Sequence, residues 1–293
     1  MITAPGGPGH GLAFSLEILK QTRGMLMRYP LPTAILPVAL ALPCSTLSAL
    51  DDANTNAISN AADTFARLAS DSAKTGQAPR QTDPAVKPLL DLVFDTSELQ
   101  KGAAQPMSAL INLNTWQGGV LKIGLVTLAE TGVTDIAALS NTPQIMEKIE
   151  RNTVDFAPEM GRYCDAILWV QGALMDTVAA FLATVSPSQR EQPNIKSGTA
   201  KMRAGFTQTV DGVLTTLLTD GLTENWRRER VIVLTAIAPK AVRFLLPDQL
   251  QALRQRATEV AGHMVEQNVK SGLMSFAGGG TPRLPAERCL NFL

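Results

Sequence analysis

Histidine and cysteine are scarce in this sequence, which has two His and three Cys among 293 residues. Zinc centres and nucleophile–base pairs depend on those side chains, so few such sites are expected, and a processed chain that keeps only His263 would exclude a multi-histidine metal site. Aromatic residues are few as well, at 5%, although 45% of the residues are hydrophobic. Small and straight-chain apolar residues favour helix packing, whereas sheets draw on β-branched and aromatic ones. The composition therefore predicts an all-α protein.

The sequence also lacks the short motifs that carry known chemistry. It contains no phosphate-binding GxxxxGK[ST] loop, no GxGxxG or GxSxG turn, no HExxH helix and no CxxC pair. It has no basic stripe with interleaved aromatic residues, so nucleic acid is not an expected partner. We therefore expect no metal and no cofactor. A non-enzymatic protein is favoured over an uncharacterised helical hydrolase, which stays open as an alternative.

Neither sign of charge is in excess, since 26 basic and 26 acidic side chains give a formal net charge of zero. The balance hides an asymmetry along the chain. Residues 50–185 contain nine Lys/Arg and sixteen Asp/Glu, a net charge of −7, whereas residues 223–270 contain eight and five, a net charge of +3. Two ordinary solvated surfaces would give this pattern. A dipolar molecule that self-associates or docks on a charged partner would give it too.

An apolar run near the amino terminus, residues 34–42, follows Arg28 and leads into small residues up to Ala49. A positive flank, a short apolar core and a small-residue exit are typical of a secretory signal peptide. We predict cleavage after Ser48 or Ala49, so that residues 1–49 are leader and signal. The predicted location is periplasmic or secreted.

Two other interpretations of this run are weaker. A transmembrane helix needs about 20 apolar residues, and four prolines between residues 30 and 43 interrupt the stretch. A lipoprotein site at Cys44 would need small residues where Leu42 and Pro43 lie. We therefore expect no stable transmembrane anchor after processing. Because a signal normally starts shortly before its apolar core, we expect translation to begin at Met25 or Met27.

Apolar periodicity over the rest of the chain predicts helix after helix. We expect seven to nine helices in an irregular bundle that forms one domain over residues 50–272, followed by a flexible tail over residues 273–293. The segment 192–198 is the predicted internal boundary because Pro, Asn, Ser and Gly cluster there. The helices with the clearest start signals, a capping Thr or a proline in the first turn, are predicted over residues 158–184, 223–238 and 247–270.

Helical periodicity at 100° per residue places some polar side chains on apolar stripes. Arg230 lies on the stripe that contains Trp226, and Arg227 is close to it in sequence. A guanidinium in that position must reach water or find a partner. A structural ion pair with an acidic residue of the first half is the plain interpretation. An anchor for an anionic ligand, helped by Arg227, is the alternative.

The helix predicted over residues 158–184 contributes two further candidates. Gln171 lies in the middle of its apolar stripe, where the backbone or a neighbouring helix is expected to satisfy the amide. Trp169 projects from the opposite side, where it is expected to be covered by another helix or, alternatively, exposed as an anchor for a partner. The candidates for ligand or partner binding are Arg230, Arg227, Gln171, Trp169 and Trp226.

The remaining cysteines and histidine give weaker signals. Removal of the signal takes Cys44 away and leaves Cys164 and Cys289, an even pair in a compartment that permits disulfides. A bond between them would tie the tail to the domain; the alternative is a buried, inert Cys164 and an unpaired Cys289. His263 shares a helical face with two glutamates, and a solvated face is favoured there over an ion site.

The segment Leu245-Leu246-Pro247-Asp248-Gln249, followed by an apolar-periodic helix, resembles the L-T-P-E-Q helix start that is common in small helical periplasmic proteins, including stress chaperones. The resemblance covers about a dozen residues and departs at Leu246, where Thr would cap the helix. It implies the same compartment as the signal peptide.

These observations favour an exported helical protein that acts by binding, with another envelope protein as the expected partner. The alternative is a helical carrier of a small amphiphile or lipid, with Arg230 and Gln171 as polar contacts in an apolar cavity. A carrier predicts an enclosed cavity that touches Arg230. A binding protein predicts an exposed apolar patch.

Overall fold

The structure, a computed structural model, describes residues 52–75, 79–95, 106–116, 151 and 153–278. Every regular element within these ranges is helical, with no strand, which confirms the all-α class. Ten helical segments occur there, more than the seven to nine expected. The predicted signal peptide and its cleavage site lie outside the described residues.

Eight helices have defined ends. They are α1 (Asp52–Thr75), α2 (Lys87–Val93), α3 (Ala157–Thr184), α4 (Pro187–Arg190), α5 (Pro193–Thr216), α6 (Glu224–Phe244), α7 (Pro247–His263) and α8 (Gln267–Gly278). Residues 106–116 form a further helical segment, and a short helical turn precedes α3.

Three of the helix starts use side-chain caps. The hydroxyl of Thr223 accepts a hydrogen bond from the backbone N–H of Trp226 at the start of α6, at 3.2 Å. Ser186 and Gln189 form a reciprocal capping box at the start of α4. At α7 only half of such a box exists: the N–H of Leu246 donates to the Gln249 side chain at 3.2 Å, and Leu246 has no hydroxyl to return the bond. These local contacts fix where the chain turns.

Helices α3 and α5 to α8 form two layers. In the first layer α3, α6 and α8 run in the same direction, because successive positions on α3 face successive positions on α6, and the same holds between α6 and α8. In the second layer α5 and α7 return the chain and run parallel to each other, as the contacts of Arg203 with Phe244 and of Arg256 with Asp211 show. The result is a stack of helical hairpins, with α6 between α3 and α8.

Two predictions for residues 192–244, an internal boundary and a helix end, are wrong. Residues 192–198 are not a boundary, because α5 begins at Pro193 and continues to Thr216. The helix predicted to stop at residue 238 continues through Pro239 to Phe244. Proline removes one backbone hydrogen bond in a helix, but Ala241 and Phe244 are buried beyond it, and this burial favours continuation.

The helix predicted over residues 247–270 is instead two helices. The backbone of Met264 is extended after α7, its side chain is buried, and α8 then begins at Gln267. The tail predicted from residue 273 is also wrong at its start, because α8 continues to Gly278 and buries Leu273 and Phe276. Apolar contacts with the neighbouring helices explain why the chain stays ordered there.

An aromatic cluster closes the other side of α3. The ring of Trp116 stacks on Phe65 and Tyr163, with centroids 5.7 and 5.2 Å apart, and meets the edge of Phe94 at 4.9 Å. Aromatic contacts of this kind add to the stabilisation from burial. The cluster brings α1, α2 and the segment 106–116 against α3, which is therefore the central helix of the described structure.

α3 is also the one helix in the described ranges that is long and apolar enough to cross a membrane. Its most apolar window has a mean hydropathy of 1.6, and 56% of that window is buried inside the structure. Core helices of soluble proteins pass the same test by length and composition. The finding therefore assigns no membrane span.

Candidate functional site

The five candidate residues from the sequence all lie on α3 and α6, which pack side by side along most of their length. We call this contact the α3–α6 seam; its polar members are Asp165, Asp176, Arg230 and Lys240. Four of the five candidates turn out to be used by the fold itself.

Arg230 forms a two-pronged ion pair with Asp165 of α3. Its Nε donates to one carboxylate oxygen at 2.8 Å and its Nη2 to the other at 2.6 Å. Nη1 donates to the backbone carbonyl of Trp226 at 3.0 Å, and Nη2 also reaches Glu229 at 3.1 Å. Only 5% of the side chain is exposed. The plain interpretation of Arg230, a structural ion pair with an acidic residue of the first half, is confirmed.

Burial and charge act in opposite directions at this pair. Burial raises the pKa of Asp165 above its ordinary value, although the hydrogen bonds and charge of Arg230 oppose that rise. Burial alone would lower the pKa of Arg230, but Asp165 holds the guanidinium in its charged form. Removing one partner of a buried ion pair strongly destabilises the folded state, because the other charge then stays buried without compensation.

Trp226 completes the packing around the guanidinium. The Arg230 guanidinium lies over its ring at 4.9 Å, a cation–π contact, and the indole N–H donates to the carbonyl of Ala157 at 2.6 Å. Gly161 of α3 faces both side chains: a Cβ there would lie 2.7 Å from Nη1 of Arg230 and 2.9 Å from Nε1 of Trp226. The seam is tightly filled at this level. We therefore place no ligand at Arg230, and an enclosed cavity that a carrier would need is not at this position.

Arg227 points to the other side of α6. Its Nε and Nη2 donate to the carbonyls of Leu217 and Thr219, at 2.8 and 2.9 Å, which lack helical partners at the end of α5. Its Nη1 donates to Glu266 at 2.7 Å. Hydrogen bonds from the backbone of the α7–α8 loop, together with Arg227, keep the pKa of Glu266 below its ordinary value. Arg227 thus ties three segments together and is not free to bind a ligand.

Gln171 and Trp169 differ in how the fold uses them. Gln171 is 3% exposed in the core, and its Nε2 has no hydrogen-bond partner in the structure, so the expectation of a satisfied amide is not met. Trp169 is partly buried and packs against the core, and its position four residues after Asp165 places it on the same face of α3 as that residue. In sequence Trp169 lies between Asp165, which pairs with Arg230, and Asp176, which forms a second ion pair of the seam.

That second pair joins Asp176 to two cations of α6. Lys240 donates to one carboxylate oxygen at 2.6 Å, and Arg243 approaches the other at 3.4 Å. The side chain of Lys240 passes close to Gly172. A Cβ added at Gly172 would lie 3.2 Å from Cδ of Lys240. The acidic region 50–185 and the basic region 223–270 thus meet in part inside one molecule.

Cys164 lies one residue before Asp165 and is 2% exposed. Burial raises the pKa of its thiol to about 12, so it stays protonated and unreactive near neutral pH. Cys289 lies outside the described residues, and the disulfide between the two stays a prediction.

No cluster of three or more His, Cys, Asp or Glu side chains that could hold a metal ion occurs in the part of the chain that the structure describes. His263 is exposed at the end of α7, Glu259 contacts Arg256, and Glu266 pairs with Arg227. Because the helix ends at His263, Glu266 does not share a helical face with His263 and Glu259, and the predicted arrangement of the three residues is not formed.

The exposed apolar residues lie elsewhere. Six large ones are exposed in the described ranges: Ile111, Ile232, Val242, Leu246, Val265 and Met274. Val242 and Leu246, at 45% and 50% exposure, are four residues apart on either side of the turn between α6 and α7. We call this feature, Val242 to Leu246, the α6–α7 corner. The sequence did not indicate it, because the helix was predicted to end before Pro239 and Val242 therefore had no place on a stripe.

Comparison of the chain with protein-family models, with curated proteins and with solved structures found no match. The geometry of the seam and of the corner therefore carries the argument about function.

Proposed function

We propose that this protein is exported and acts by binding another protein, and that the α6–α7 corner is its docking surface. The observation that carries the proposal is the exposed pair Val242 and Leu246 on either side of two buried residues, Phe244 and Leu245. Isolated exposed apolar residues are common on protein surfaces. Two that lie four residues apart, on either side of a packed turn, are better suited to anchor a partner.

The middle of the corner is packed into the protein. Phe244 and Leu245, between the two exposed side chains, are buried, and the carbonyl of Phe244 accepts a hydrogen bond from Nε of Arg203 at 2.8 Å. The Arg203 guanidinium also lies over the Phe244 ring at 5.3 Å. Because the turn is ordered before binding, association would cost little conformational entropy there.

The rim of the corner carries positive charge. Arg243 is 69% exposed and shares the single carboxylate of Asp176 with Lys240. Arg203 adds a third cation next to Phe244. Charges at the rim of an interface mainly steer association and select partners. The partner we propose therefore has apolar side chains for the corner and acidic residues around them.

Site-specific photocrosslinking in cells that express the full chain tests this proposal. A photoreactive amino acid replaces Leu246 in one variant and Ile232 in a control, since Ile232 on the outer face of α6 is 46% exposed. We expect one dominant crosslinked protein from position 246, identified by mass spectrometry and then reconstituted from purified components. Equal crosslinking from both positions, or a purified pair that does not bind, would argue against the corner.

Export is tested separately. If the signal peptide is removed as predicted, the protein recovered from the cell envelope or the medium begins at Ala49 or Leu50. The intact mass of the recovered protein decides this directly. An unprocessed chain in the cytoplasm would remove the export part of the proposal and leave the docking surface untouched.

A further inference from the structure

α8 covers one side of α6 and stops before the corner. Along that side Glu224 meets Asn268 at 3.3 Å, and the side chain of Val231 fills the space above Gly272 so closely that a methyl group there would overlap it. Six residues after Gly272 α8 ends at Gly278. Since the two helices are parallel, that end lies level with about Ile237, six residues after Val231.

The covered side of α6 is one stripe with helical spacing. Val231, Thr235 and Ala238 lie on it and are buried, at 3%, 3% and 4% exposure. Val242 is the next member of the stripe, one turn after Ala238, and it is exposed. The change from buried to exposed coincides with the end of α8. Val242 thus continues the stripe of α6 that α8 covers at Val231, Thr235 and Ala238.

The sequence after Gly278 has apolar residues and sufficient length to continue that cover. Residues 279–293 include four large apolar side chains: Leu284, Leu290, Phe292 and Leu293. Val242 lies five residues beyond Ile237, or about 8 Å along the helix at 1.5 Å per residue. The six residues from 279 to 284 can span up to about 20 Å. Leu284 and every residue after it can therefore reach the corner.

We propose that residues 279–293 of this chain bind the α6–α7 corner and compete there with the partner protein. This inference rests on the proposed function of the corner and adds a regulation to it: the partner must displace the chain's own segment. A tethered segment has a high effective concentration, so weak apolar contacts suffice to compete with a free partner.

Disulfide formation with the natural Cys289 tests the inference in the full chain. One variant carries Val242→Cys and the matched control carries Ile232→Cys, both with Cys44→Ser. Val242 and Ile232 have equal exposure, and they lie five residues above and below the level of Ile237, so the segment can reach either. We expect the intramolecular disulfide to form at least about tenfold faster in the Val242→Cys variant, since docking raises the local concentration of Cys289. Digestion and mass spectrometry identify the bond.

Equal rates in the two variants would overturn the inference, and so would a disulfide that links two molecules, which would assign the corner to a second copy. The proposed function can fail independently. If the partner binds normally to a Val242→Glu/Leu246→Glu variant, the docking surface is wrong whatever the disulfide rates show. If the disulfide rates are equal and that variant fails to bind, the docking surface stands and only the competition is removed.

Discussion

The two parts of α6 differ sharply in how they are used. From Glu224 to Ala238 the helix is enclosed by α3 on one side and α8 on the other, and its charged groups are paired inside the molecule. From Pro239 onward it loses the cover of α8, and Val242, on the stripe that α8 covers earlier in the helix, is exposed. The enclosed part holds the fold together, and the open part is where we place binding.

The comparison shows that a polar residue on an apolar stripe is a poor guide to a binding site when the helix has neighbours on both sides. Arg230 and Arg227 each find several partners within the chain. A buried guanidinium needs such partners to offset its desolvation. Its presence on the stripe therefore reports a close helix contact.

The enclosed part should depend strongly on its ion pair. Arg230→Met is expected to lower the free energy of unfolding by about 3–5 kcal/mol, because the carboxylate of Asp165 then stays buried without its partner. Urea-induced unfolding of the full chain measures the loss. The double variant Arg230→Met/Asp165→Leu should recover most of it, since both charges are gone. A single variant as stable as the parent would show that the pair has no structural role.

The close approach of α3 to α6 gives the next largest effect. In Gly161→Ala the new methyl group meets Arg230 and Trp226, and we expect a loss of about 1–3 kcal/mol in the free energy of unfolding. Gly262→Ala is the matched control, because nothing lies within 4 Å of a Cβ at that exposed helical position. That control should gain about 0.5–1 kcal/mol from helix propensity. If both variants were stabilised, the tight packing at the seam would be refuted.

Cys164 of α3, which precedes Asp165, makes the stability of the folded chain sensitive to high pH. Its pKa is about 12 in the folded chain, against an ordinary value of 9.0. Between these values the unfolded chain has lost a proton that the folded chain keeps, so stability falls as pH rises from about 9, by up to about 1.4 kcal/mol per pH unit. The fall should be shallower in Cys164→Ala, as measured by unfolding at several pH values. Identical slopes would mean that the thiol ionises in the folded state.

The open part should tolerate polar substitutions. Val242→Gln and Leu246→Gln are each expected to change the free energy of unfolding by no more than about 0.5 kcal/mol, since both side chains are half exposed. Thermal unfolding of each variant checks this. A loss comparable to that of Gly161→Ala would move the corner from the docking surface to the core.

Much of the helical framework follows from local sequence signals. α3 agrees with its predicted range within about one residue at each end, because periodic apolar residues and a proline start define it. The ion-pair interpretation of Arg230 also followed from its stripe. The structure was needed only to identify Asp165 as the partner. An apolar stripe on a helix indicates that another helix packs against it, but not which helix that is.

The corner could not be predicted for two physical reasons. Proline inside a helix is normally a stop signal, and here the burial of Ala241 and Phe244 outweighs it. The exposure of Val242 depends on where α8 ends, and that end depends on long-range packing. The layered stack is invisible in the sequence for the same reason: it depends on which helices are adjacent.

The affinity of the reconstituted partner for two charged variants tests the central claim most directly. Val242→Glu/Leu246→Glu places acidic groups on the corner, whereas Ile232→Glu places one on an equally exposed site of the enclosed part. We expect the dissociation constant to rise at least about tenfold in the first variant, a change of about 1.4 kcal/mol, and to be nearly unchanged in the second. Equal affinities for both variants, with both chains folded, would contradict the assignment of binding to the open end of α6.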